Sequence, residues 1–114
     1  MTDSALALGA LADQLLARAG EASSGRATQA IPAAPNGGVL TTVALALLAG
    51  QELSEHENPG EAFLQVIRGR VRLTAGDAQW ELGEGDLIAI PQRRHGVVAL
   101  ADSVALLTIA KGTS

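Results

Sequence analysis

Leu8, Leu11 and Leu15 recur at spacings of three and four within residues 4–19, a stretch with no proline and no β-branched residue. Side chains so spaced fall on one side of an α-helix, which turns once every ~3.6 residues. Ala12 and Ala19 extend the stripe. The pattern predicts a helix over residues 4–19, capped by Ser4 and ended by Gly20. Its apolar stripe calls for a partner, either the body of the chain or a second subunit.

Beyond residue 30 the pattern changes. Residues 21–25 form a polar loop, 26–31 read as a short strand, and 32–38 are a turn-rich connector. Residues 39–49 are apolar on both faces and include Val and Thr, which suits a strand buried on both sides; propensity alone also allows helix for 44–49. Short segments follow at 51–55, 62–67, 70–75, 79–82, 86–90, 96–100 and 104–110. Turn signals separate them: Asn58-Pro59-Gly60, Arg68-Gly69, Gly76-Asp77, Gly83-Glu84-Gly85 and Pro91-Gln92. Short strands with turns about every 8–12 residues predict a β-sandwich or barrel. Arg70-Val71-Arg72-Leu73 alternates, so one face of that strand meets water. There is no second long helix to build βαβ units. The expected organisation is an N-terminal helix and connector, residues 1–36, and a barrel of about eight strands in two sheets, residues 37–114, within one domain.

Composition narrows the chemistry. Of 114 residues, 47% are hydrophobic but only 2% aromatic, so the core is aliphatic. Trp80 reads as core on a strand. A net charge of −4 with two aromatics argues against nucleic-acid binding, which needs a basic groove and stacking platforms. No apolar run approaches the roughly 20 residues of a membrane span. With no cysteine, the chain offers no disulfide, thiolate nucleophile or Cys-bound zinc. The apolar start at residues 5–12 has no preceding Lys or Arg and is flanked by Asp3 and Asp13, unlike a signal peptide. The expected compartment is the cytoplasm. Neither Ser54 nor Ser103 sits in a nucleophile elbow, and no Gly-Lys-Ser/Thr phosphate loop is present. Glu52, Glu55, Glu57 and Glu61 read as a solvated edge.

One constellation carries a family resemblance. Gly50, His56, Asn58, Pro59-Gly60-Glu61 and Gly69 are similar to the first motif of the cupins, and Gly85, Pro91 and His95 resemble the second. The likeness covers about residues 39–110 and is nearest to small, single-domain RmlC-like cupins. It implies an all-β fold, the cupin double-stranded β-helix or jelly-roll barrel, here with one N-terminal α-helix, and commonly a homodimer. It also implies a divalent transition metal at the barrel mouth, held by three His and one Glu, a ligand set that suits Fe, Mn, Ni, Cu or Zn.

Residue by residue the match is partial. His56 stands at the first His position and His95 matches the last, though it comes four residues after Pro91 instead of five. Asn58 occupies the second His position, Ala62 the Glu position, and Ala99 the place of the final Asn. Glu61 is one residue off, and such a shift turns a strand side chain to the other face. The resemblance therefore implies a pocket of His56, Asn58, Ala62, Leu64 and His95, holding either no cofactor or a divalent metal on His56 and His95 with Asn58 or Glu61 as third ligand. On the same geometry Ala62, Leu64 and Val66 point inward. Arg93 and Arg94 read as an exposed turn that can also attract an anion.

Two functions follow. One is a binding or sensing barrel for a small, partly apolar or anionic molecule. The other is a metal-dependent enzyme, such as a dioxygenase, isomerase or lyase, working through His56 and His95. A blander third is a remnant barrel used for protein–protein contact.

Overall fold

The computed structural model describes residues 5–32, 38–56 and 60–110, with the backbone alone at Glu55 and His56. One helix, α1 (Leu8–Glu21), precedes nine strands among these residues: β1 (Arg26–Ile31), β2 (Leu40–Leu47), β3 (Glu52–His56), β4 (Ala62–Arg68), β5 (Arg70–Ala75), β6 (Ala78–Gly83), β7 (Leu87–Ala89), β8 (His95–Ala99) and β9 (Ser103–Ala110). They form a five-stranded sheet, β1-β2-β9-β4-β7, and a four-stranded sheet, β3-β8-β5-β6, with antiparallel pairing throughout. The chain is thus an all-β jelly-roll barrel with one N-terminal helix, as its pattern predicts.

Two apolar layers follow from strand alternation. Leu45, Leu64, Val66, Val71, Leu73 and Val97 meet between the sheets in an aliphatic core, with Trp80 packed at its side. On the outer face of the larger sheet, Ala44, Ala46 and Val104 receive Leu11, Ala12, Leu15 and Ala19 of α1. The apolar run Ala44–Leu47 is therefore a strand covered on both faces, by the second sheet and by the helix. Burying a leucine such as Leu15 contributes about 1.5–3 kcal/mol, so the helix is held by its stripe.

The helix begins later than its composition predicts. It starts at Leu8, with Ala7 as N-cap and no side-chain capping bond, and Ser4 lies outside the described residues. The physical reason is packing: Leu8 is the first stripe residue against the sheet, while residues 5–7 are exposed, and short helices draw their stability from tertiary contact. Gly20 stays within the last turn, which ends at Glu21 when Ala22 N–H donates to Ala19 O at 3.2 Å.

The motif glycines sit at turns. Gly50, Gly69 and Gly85 all have positive φ, at 87°, 83° and 87°. Gly69 is the most constrained, since a Cβ there would overlap Asp102 O and Ser103 Oγ. Ser103 uses that closeness. Its buried Oγ accepts from Arg70 N–H at 3.0 Å, and its single proton is shared between the carbonyls of Ala101 (2.7 Å) and Arg70 (3.0 Å). This hydroxyl fastens the β4–β5 turn to the start of β9.

Candidate functional site

One end of the barrel is formed where β8 and β4 begin and β3, β7 and β9 end. Three backbone bonds close it: Ile90 N–H to Ala62 O and Ala110 N–H to Glu61 O, both at 2.9 Å, and Arg93 N–H to Pro91 O at 2.8 Å. The last is a γ-turn. It makes Pro91–His95 compact enough to bring His95 to the first position of β8 despite the missing residue.

His95 shares its strand face with Val97 and Ala99, which belong to the inter-sheet core, and is only 2% exposed. Its Nδ1 lies 3.0 Å from Arg93 O. A carbonyl can only accept, so Nδ1 carries a proton and Nε2 is the ring's remaining acceptor in neutral imidazole. A backbone carbonyl on the far ring nitrogen is also how metal-binding histidines are commonly oriented.

His56 enters through backbone register. β3 and β8 pair as Glu52↔Val98 and Leu53↔Val97, then His56↔His95, with a bulge between Leu53 and His56. The two histidines of the chain are thus direct partners in the ladder. Asn58 lies outside the described residues.

On the facing sheet, Ala62, Leu64 and Val66 are 4%, 1% and 0% exposed and line the core, as alternation predicts. Glu61, one residue before, is exposed. Arg93 and Arg94 are exposed on the loop leading to His95. Leu107 and Ile109 complete the wall toward this end, each half-buried. Sequence reading did not single them out, because an aliphatic residue on a strand carries no chemical mark; their alternation with Thr108 and Leu106 is the only signal. Beside the site a shallow cavity of about 190 Å³ crosses β3, β8 and β5, lined by Glu52, Ser54, Thr74 and Gly96 among others.

Among the described residues no three His, Asp or Glu side chains converge. The β4 wall offers methyl groups where the four-ligand pattern requires a carboxylate. Chemically, the described side chains present one oriented imidazole, that of His95, against an aliphatic wall.

Residues 45–110 match the family model for the cupin domain. No curated protein sequence matches the chain. The fold is similar to a conserved protein of unknown function from Streptococcus pyogenes, with a TM-score of 0.70 and 21% identity over 82% of this chain and 80% of that one. It is also similar to an RmlC-like cupin from Desulfovibrio desulfuricans, with a TM-score of 0.65 and 28% identity over 75% and 81% of the two chains. An HTH_3 family transcriptional regulator from Vibrio cholerae shares the fold at a TM-score of 0.63 and 19% identity, over 77% of this chain and 52% of that one.

Proposed function

This chain belongs to the cupin family, and we propose that within it the chain is a small-molecule binding or sensing barrel with a degenerate metal site. The observation that carries this reading is Ala62. It is buried on the inner face of β4, beside Leu64, at the position where the cupin pattern has its glutamate ligand. A methyl group there removes an anionic ligand and makes the wall apolar, which favours a partly apolar organic ligand over a transition metal. His95, oriented by Arg93 O, then serves as a hydrogen-bonding group for that ligand. The Vibrio cholerae transcriptional regulator carries a barrel of this fold within a longer chain, which is in keeping with the sensing reading.

A second reading keeps metal-dependent enzyme chemistry, with His56 and His95 as ligands and Asn58 or Glu61 as a third. The ladder pairing His56↔His95 favours it. The double variant Ala62→Glu with Asn58→His separates the two. A large gain in metal affinity supports the metal-poor reading. Tight metal already present in the unmodified protein favours the second.

We place the protein in the cytoplasm, in keeping with its lack of cysteine. Among the described residues no helix is long and apolar enough to cross a membrane. A homodimer belongs to the same reading. Leu40, Phe63 and Leu87 are 59%, 47% and 59% exposed. By alternation they lie on the outer face of the larger sheet, where α1 does not reach. Exposed apolar patches of this kind mark interaction surfaces.

A further inference from the structure

β1 and β3 are edge strands of the two sheets, and they approach each other on the flank of the barrel, where Arg26 Nη1 donates to Glu52 O at 3.3 Å. Between them lies an open cavity of about 480 Å³. Leu45, Leu53 and Ala27 supply its apolar surface; Arg18, Arg26 and Thr28 supply its polar one. Register sets it toward the end of the barrel away from His95, since Arg26 and Thr28 pair with Leu47 and Leu45.

The charge is one-sided. No Asp or Glu is among the residues described around the cavity. The ion pairs among the described residues join Arg68 to Asp13, and Arg70 and Arg72 to Glu81; neither Arg18 nor Arg26 takes part. Both guanidiniums rest instead on neutral acceptors at long distances. Arg18 reaches Gln29 Oε1 and Thr28 O, each at 3.4 Å. Each guanidinium has five N–H donors in a planar fork that matches a carboxylate, so both retain donors for a ligand. Two cations outside the ion pairs of the described residues, at one apolar hollow, call for an anion with an apolar body.

We propose that this flank cavity binds a small amphiphilic carboxylate, its chain against Leu45 and Leu53 and its head between Arg18 and Arg26. The probe is octanoate, titrated into the full chain and followed by methyl NMR. The expected result is saturable shifts at Ala27, Leu45 and Leu53. Arg18→Ala with Arg26→Ala should weaken binding by about tenfold or more, the value of a charge-assisted hydrogen bond. 1-Octanol, with a similar body and no charge, should bind the unmodified protein about as weakly as octanoate binds the double variant. Both arginines are exposed, and an unchanged amide spectrum verifies the fold; Arg26→Gln, which keeps most of the aliphatic stem, serves if the double variant unfolds. The proposal is overturned if octanol binds as well as octanoate, if octanoate shifts Leu64 and Ile109 at the His95 end instead, or if no shift saturates.

Discussion

His56 and His95 are directly opposite each other in the β3–β8 ladder, and a single extra residue in β3 makes them so. From Leu53↔Val97, an unbroken ladder would bring Glu55 to the rung of His95. The bulge advances β3 by one, so that rung belongs to His56. The barrel therefore keeps its two histidines together although the loop before His95 has lost a residue relative to the cupin pattern. The Arg93 carbonyl at 3.0 Å then dictates which nitrogen of His95 holds the proton. Long-range ¹⁵N–¹H correlation at neutral pH should show Nδ1 protonated. A ring protonated on Nε2 alone would contradict the geometry.

Gly69 joins β4 to β5 in a conformation that other residues adopt only with strain. Its missing Cβ makes room for Asp102 O and for the Ser103 hydroxyl network. Gly69→Ala should cost about 3 kcal/mol, combining left-handed strain with overpacking against backbone. Denaturant melts measure it, and a loss within experimental error of zero would show that the turn relaxes.

Glu81 sits between two arginines on the outer face of the smaller sheet. Arg72 Nη2 and Arg70 Nε donate to it at 3.1 and 3.2 Å. The hydrogen bond from Arg72, then that from Arg70, holds its pKa below the ordinary value of 4.5. A lowered native pKa stabilises the fold above the ordinary value, and that contribution is lost as pH falls through the native one. Glu81→Gln should therefore lower Tm slightly at neutral pH, with the difference closing in acid. A difference that widens on acidification would reverse the sign.

The outer face of the larger sheet should hold the dimer. Light scattering after size exclusion should give twice the 11.6 kDa chain mass at micromolar concentration. Phe63→Glu with Leu87→Glu should shift it to one chain mass without unfolding. A monomeric unmodified protein would remove the dimer from the account.

Much of the barrel was legible because strand alternation and turn residues are local. β1 and β5 fall where the pattern predicts, and inward Ala62, Leu64 and Val66 follow from period two alone. The continuous apolar run at Ala44–Leu47 left strand and helix open, because what decides it is non-local: one layer of cover comes from α1 and another from the second sheet. The helix start was misplaced for the same reason. At the candidate site, the positions of His56 and His95 were visible in the motif, but their pairing depends on a bulge, which exists only once two strands meet. The flank cavity was invisible. Arg18, Arg26, Leu45 and Leu53 come from a helix and three strands, and no spacing links them.

The central claim is that this cupin barrel has exchanged a metal ligand for an apolar wall. Elemental analysis of protein purified without a histidine tag tests it most directly. The account predicts transition metal far below one ion per chain. A full equivalent of iron, manganese, nickel, copper or zinc, retained through dialysis against a chelator, would contradict it.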